Sequence, residues 1–326
     1  MGPFDSDTFT LSSLTAAINE ADYAPRRLGE MGIFDEEGIA TTTALVEKQG
    51  MSLELVPSQE RGGVGQVVNA DKRKTITFTA IHLPTTAAIM ADEVQNVRQF
   101  GQEDQAQAIE AIVNRRLAKM AARLEVTNEH HRIGAVKGQI LDADGTTVLV
   151  DLATEFDITR PTQAFALGTA TTDVRERALF TIEKIEEGLG AAAFSGVVAL
   201  CGRDFWANLI KHPKVNEAYL YQQSERLRAD GREAFTFGGI AFERYRGGVG
   251  TTPFVPANRA YAFPTGVEEM FISRYAPANY ADTVNTLGLP MYSSSEMMKH
   301  GKGMELEAQS NPIHLCTRPQ AVVELS

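Results

Sequence analysis

The sequence predicts an α+β fold laid on one long helix, and three observations predict it. The apolar residues Ile109, Val113, Leu117, Met120 and Leu124 recur three or four positions apart, which draws a single stripe down a helix. Ahead of that helix, TTTALVEKQGMSLELVP (41–57) and KTITFTAIHLP (74–84) are rich in β-formers, with alternation at Ile76, Phe78 and Ala80. After it, from Asp173 to Gly266, helical and strand patterns take turns.

Taken in order, residues 1–40 are polar and punctuated by Pro3, Pro25, Gly29, Gly32 and Gly38, with one short amphipathic piece, Leu11 to Ile18. Such a stretch has little core of its own and reads as an arm that gains order only against another surface. Residues 41–84 read as a long two-stranded excursion whose tip, SQERGGVGQVVNADKR (58–73), is glycine-rich and charged. A lone two-stranded ribbon is marginal in water, so this one calls for a partner surface, and a neighbouring copy of the chain is the natural one. Asp92 is the expected N-cap of a short helix, Phe100-Gly101 a break, and the long helix then runs from Glu103 to about Gly134. At about 1.5 Å per residue it would be roughly 50 Å long, a spine rather than an ordinary packing element. Glu110, Asn114, Arg115, Lys119 and Arg123 fill its polar side.

Beyond the spine, GQILDADGTTVLVDLATEF (138–156) is a hairpin signal centred on Asp144-Gly145. A Pro/Thr-rich join, Thr159 to Thr172, marks a boundary. DVRERALFTIEKIEEGL is an amphipathic helix through Val174, Ala178, Ile182, Ile185 and Leu189, capped by Asp173 and stopped by Gly188 and Gly190. GVVALCG (196–202) reads as a buried strand, RDFWANLIKHP as a helix ended by Pro213, and KVNEAYLYQQSERLR (214–228) as another helix. FTFGGIAFERYRG (235–247) turns at Gly238-Gly239, and NRAYAFPTG (258–266) is a short strand. SSSEMMKHGKGM (293–304) reads as a flexible polar loop. GMELEAQS and HLCTRPQAVVEL are the closing strands, split by Asn311-Pro312.

Composition narrows the function classes. The 326 residues are 43% hydrophobic and 22% charged, which is ordinary globular material. No run of about 18 apolar residues occurs, so no membrane span is expected. The N-terminus carries Asp5 and Asp7 where a secretory leader needs basic residues, so the chain is expected in the cytosol when made. Cys201 and Cys316 sit in apolar contexts and read as buried thiols of a reducing compartment. A net charge of −11 argues against a reader of nucleic acid that works by neutralising phosphates. It suits a wall that faces nucleic acid without sticking to it.

The tempting chemistry dissolves on inspection. Glu129-His130-His131 places two histidines about 100° apart on a helix, where they cannot grip one metal as an i, i+4 pair can. Solvated or interface histidines are the expectation. RGGVG (61–65) lacks the Lys-Ser/Thr of a phosphate loop, and Ala193 stands where a GxSxG motif around Ser195 needs glycine. Asp142 and Asp144 lack the remaining ligands of a calcium loop, and Trp206 reads as packing. No catalytic, cofactor-binding or metal-binding residue is therefore predicted, no cofactor is expected, and the chain is not expected to be an enzyme.

The segments themselves carry a resemblance. EVTNEHHRIGAVKGQILDADGTTVLVDLATEF, GVVALCGRDFWANLIKHPKVNEAYL, GGIAFERYRGGV, TPFVPANRAYAFPTG and GMELEAQSNPIHLCTRPQAVVELS follow one another in the order of the major capsid protein E family of tailed bacteriophages. The chain resembles that lambda-type shell protein over essentially its whole length, through collinearity rather than any one specific motif.

The resemblance implies the Hong Kong 97-type capsid fold. It implies an N-terminal arm over 1–40, an E-loop over 41–85 and a peripheral domain over 86–158 with the spine. An axial domain and return would span 159–302, and C-terminal strands over 303–326 would complete the peripheral domain. It also implies a coat subunit that assembles as pentamers and hexamers into an icosahedral procapsid. That shell would enclose packaged DNA without reading its sequence, beside scaffolding, portal and decoration proteins, in the virion and first in the host bacterial cytoplasm. A polymerising tail or tube protein, and a metal hydrolase using Glu129, His130 and His131, are the competing readings.

Overall fold

The computed structural model describes residues 14–15, 27–48, 74–94, 105–216, 234–250 and 252–326, and in it the spine helix runs from Gln105 to Lys137. Most of the Leu11–Ile18 piece, the ribbon tip, the Phe100-Gly101 break and the helix expected beyond Asn216 lie outside these residues. Two compact units share the chain. The first takes Met1–Ala44, Phe78–His131 and Ile272–His314; the second takes Leu45–Thr77, Arg132–Phe271 and Leu315–Ser326. The chain crosses between them after Ala44, Thr77, His131, Phe271 and His314.

In the first unit the predicted stripe is the core. Ile109, Val113, Leu117, Met120 and Leu124 are all buried, while Glu110, Asn114, Arg115, Lys119 and Arg123 are exposed. The stripe packs with Ile89, Met304, Leu306, Ala308 and Leu14. Burying each large aliphatic contributes roughly 1.5–3 kcal/mol, so this one face dominates the unit's stability. The sheet in that cluster has the strand order Tyr292–Met297, Gly303–Ser310, Leu83–Met90, all antiparallel. Register sets its two faces: Met304 opposes Ile89 and Leu306 opposes Ala87, pointing to the core, while Glu296, Glu305 and Ala88 point to solvent.

Two expectations change here. Tyr292–Met297 is a paired edge strand, not a flexible loop, because every residue from Tyr292 to Met297 is in register with Gly303–Ser310. Serine is tolerated there because the ladder satisfies its backbone. Asp92 lies inside the helix Ala91–Val94 rather than capping it. A second sheet, Phe34–Gly38, Phe271–Tyr275 and Pro312–Cys316, lies mainly in this unit. Arg274 is only 12% exposed at its side chain and is held by Asp35 (3.0 Å) and Glu37 (3.5 Å).

The second unit centres on a six-stranded sheet. Its order is Thr162–Gln163, Val323–Leu325, Ala260–Thr265, Gly196–Cys201, Ile240–Arg244, Phe235–Phe237. Gly196–Cys201 pairs antiparallel with Ala260–Thr265 and parallel with Ile240–Arg244, the position its unbroken apolar run predicts. The hairpin between Phe235–Phe237 and Ile240–Arg244 turns at Gly238 and Gly239, whose φ values of +59° and +87° are the positive pair a two-residue turn requires. The helices Val174–Leu189 and Arg203–Lys211 belong to this unit. Phe165 makes edge contacts with Phe205 (5.7 Å) and Phe242 (6.0 Å), which ties the second helix to the sheet. Gly202 precedes that helix where a Cβ would collide with the Pro256 carbonyl.

Three further readings are corrected in this unit. Ile182 is only half-buried; Thr181 takes the inward position, its hydroxyl donating to the Arg177 carbonyl at 2.9 Å. The tail beyond His314 is not one strand but Pro312–Cys316, a 3₁₀ turn Pro319–Ala321 and Val323–Leu325. That last strand pairs with Ala260–Ala262, not with the strands around 303–310. The hairpin around Gly145 joins Gln139–Leu141 to Val148–Asp151, but DLATEF does not extend it. Asp151 ends the strand and caps the helix Leu152–Phe156, accepting from the Ala153 and Thr154 N–H groups at 3.0 and 3.3 Å.

Asp151 is also the anchor for Arg160, whose Nη2 donates to it at 2.8 Å and to the Gly138 carbonyl, just past the spine's end, at 3.2 Å. Burial pushes the Asp151 carboxyl up, but the Arg160 guanidinium and the capped N–H groups outweigh it and hold the group below the usual carboxylate range. A depressed folded pKa means stability that is fully present above the unfolded value and lost as pH falls through the folded one. Asp151→Ala is expected to destabilise the protein by about 1–3 kcal/mol at neutral pH. Asp151→Asn, which keeps the cap and loses the charge, is expected to cost less. Urea midpoints at pH 7 and below pH 4 check this, since the difference from wild type should narrow in acid.

Candidate functional site

Of the histidines expected to be solvated or at an interface, His131 is buried together with Glu129, while His130 is half-buried. Glu129 Oε1 accepts the Leu28 N–H at 3.1 Å, at the start of the short helix Arg27–Met31. The spine carries a structural carboxylate here because a helix start presents free N–H donors. Asp144 is exposed and accepts from Thr147 through its hydroxyl (2.6 Å) and N–H (2.8 Å) and from the Thr146 N–H (2.8 Å). Those bonds hold its carboxyl well below the usual range and fix the hairpin turn.

Ser195 Oγ donates to the Thr265 carbonyl at 3.0 Å and so serves a strand end. His314 and Ser273 form a pair at 2.7 Å, but both are buried, with Phe34 and Tyr275 edge-on to the imidazole. Cys201 and Cys316 are free and buried; burial pushes the Cys316 thiol up to about 12 and raises Cys201 further, so neither is a nucleophile near neutral pH. Among the described residues no group of three or more His, Cys, Asp or Glu could hold a metal ion, and no helix is long and apolar enough to cross a membrane.

What the chain does present is surface. The ribbon base, Thr43–Lys48 with Lys74–Thr79, buries Ala44, Val46, Ile76 and Phe78 and exposes Leu45, Thr75, Thr77 and Thr79. Other large apolar side chains stand exposed in small groups: Val148 and Leu149 on the hairpin, Leu179 and Phe180 on a helix, and Val284, Leu287 and Leu289 in the loop before Tyr292. Single exposed aliphatics need no explanation, but repeated groups on separate elements suit a subunit that is touched on several sides.

Residues 10–326 match the family described as phage major capsid protein E. The chain belongs to that family. It is a structural coat protein of phage heads and so a component of the virion. The capsid protein is 27% identical to the major capsid protein of Salmonella phage Felix O1, over 98% of this chain and 97% of that one. It is 29% identical to the major capsid protein of Pseudomonas phage KPP10, over 90% of each. Among solved structures, it superposes on a protein described as a prophage capsid protein of Escherichia coli CFT073. That match has a TM-score of 0.56 and 14% identity, and it covers 97% of this chain and 98% of the other.

The fold is thus the Hong Kong 97-type capsid fold, as the order of segments implied. The strand Leu83–Met90 and the exposed loop 281–289 of this capsid protein went unrecognised in the sequence. Alternation of Leu83, Thr85, Ala87 and Ile89 was the available signal for the first, weakened by small residues.

Proposed function

We propose that this chain is the coat subunit of a tailed phage with a double-stranded DNA genome, assembling as pentamers and hexamers into an icosahedral head. Its membership of the capsid family over residues 10–326 carries the reading. Assembly takes place in the host bacterial cytoplasm with scaffolding and portal proteins, and decoration proteins can be added outside. DNA lies against the inner face without sequence-specific contact, in keeping with a net charge of −11. The chain works as a wall and not as an enzyme, with no catalytic, metal or cofactor residue.

Within this reading residues 86–158 and 303–326 serve as the peripheral domain and 159–302 as the axial domain and return. Residues 1–40 form the arm, and 41–85 the E-loop that lies on a neighbour. Negative-stain electron microscopy of the purified protein, alone and with its scaffold, tests the proposal. Closed shells, or rings of five and six, are expected; open tubes, or a monomer under both conditions, would reject it.

A further inference from the structure

The outward face of the spine carries a row of like charges. Arg115, Lys119 and Arg123 are all exposed and recur every four positions, so they line one side of the helix Gln105–Lys137. At ~1.5 Å per residue they stand about 6 Å apart and about 12 Å from first to last. Among the described residues no carboxylate pairs with any of the three. Arg116 stands apart from the row, because Glu93 holds it at 2.6 Å. No Asp or Glu lies three or four positions from Arg115, Lys119 or Arg123 in the sequence. Like charges at i, i+4 destabilise a helix, and exposed helix faces ordinarily interleave the two signs. The row is thus a cost to the fold, and it stands out in a chain of net charge −11.

The face offers charge and little else. Asn114 and Ala122 are exposed beside the row and Ala118 is half-buried within it, with no large exposed apolar side chain among them. A protein partner binds chiefly through aromatic or aliphatic anchors, which are missing here. A phosphate backbone needs only spaced cations. Each strand of a duplex presents one phosphate per ~3.4 Å of axis, so the row spans about three or four of them.

We propose that Arg115, Lys119 and Arg123 bind the phosphate backbone of nucleic acid without regard to its sequence. The inference rests on the coat-subunit reading, which supplies the packaged genome as the ligand. Three cations release about three counterions, which makes a weak contact that salt dissolves. Such a contact holds a genome beside an otherwise acidic wall without fixing it in place.

The test titrates the full chain into a labelled 20-base-pair duplex of arbitrary sequence, followed by fluorescence anisotropy. Wild-type binding is expected to weaken by about fortyfold for a fourfold rise in salt, the slope of about three phosphate contacts. A duplex of scrambled sequence should bind equally. Arg115→Gln with Lys119→Gln and Arg123→Gln should flatten that slope and lose more than tenfold in affinity at low salt. The same variant should melt at or above wild type, because it relieves repulsion on an exposed face. Lys211→Gln with Arg244→Gln and Arg246→Gln removes as much charge from exposed sites elsewhere and should bind nearly as wild type does. Equal losses in the two triple variants, or none in the first, would overturn the row while leaving the coat reading intact. Shells should form from the first variant as from wild type; their loss beside a normal melt would place the row in a protein contact and overturn the proposal. Absence of any shell or ring from wild type, with scaffold present, would bring down the coat reading and with it the packaged genome as ligand.

Discussion

Replacing Leu117 with Asp is expected to leave no soluble folded protein. Leu117 is 1% exposed at the middle of the spine's stripe, in one core with Val113, Met120, Ala121, Ile89 and Leu306. The substitution removes roughly 2–3 kcal/mol of aliphatic burial. It also places a carboxyl where ionisation costs several kcal/mol more. Taking up a proton relieves the charge but leaves a polar group in an apolar site, still at about 1–3 kcal/mol. The sum rivals the whole stability of a typical domain, roughly 5–15 kcal/mol. Lys119→Ala, two positions along and exposed on the same helix, is the control and should change stability by no more than about 0.5 kcal/mol. Soluble fraction and far-ultraviolet circular dichroism of the two variants decide it; a soluble L117D with a wild-type melt would mean that the stripe is not the core.

The stripe was legible in the sequence because one face of a long helix must be apolar wherever it is buried, and the spacing survives any tertiary detail. The Gly238-Gly239 and Asp144-Gly145 turns were legible for a similar reason: few residues adopt positive φ, so glycine there is nearly a statement of geometry. GVVALCG was legible as a buried strand because its apolar run is unbroken, and the structure pairs it on both edges. These are local consequences of burial.

What the sequence concealed is set by distant partners. Tyr292–Met297 has the composition of a loop, and only the ladder to Gly303–Ser310 makes it a strand. Glu129 and His131 have surface chemistry, yet Glu129 is buried because the Leu28 N–H, about a hundred positions away in sequence, needs an acceptor. Asp151 falls inside the run read as a hairpin through Phe156; its carboxylate accepting two helical N–H groups decides the change of direction. The exposure of Val284, Leu287 and Leu289 was hidden in the same way, since three aliphatics within six positions ordinarily signal a core. The candidate surfaces were thus less legible than the fold, because exposure depends on what fails to cover a residue.

Deleting residues 58–72 is expected to leave a folded, soluble subunit that builds no shells. These residues lie outside the described ones, and the case rests on the strands that lead to them. Thr43–Lys48 and Lys74–Thr79 bury Ala44, Val46, Ile76 and Phe78, so the ribbon's base keeps its own packing when the tip is gone. Shortening the connection between paired strands changes the entropy of loop closure by roughly 0.8 kcal/mol, in the stabilising direction, so the melt should move only slightly. A two-stranded ribbon has too little buried surface to hold an extended shape by itself. In the proposed E-loop role, the neighbouring subunit supplies the missing surface, and the exposed side with Leu45, Thr75 and Thr77 is available for it. Removing the tip takes away the reach and not the fold. Sizing chromatography and electron microscopy, read beside the melt, separate the two effects. An intact melt with missing shells is the expected pair of results, and normal shells from the deletion would show that residues 41–85 do not link subunits.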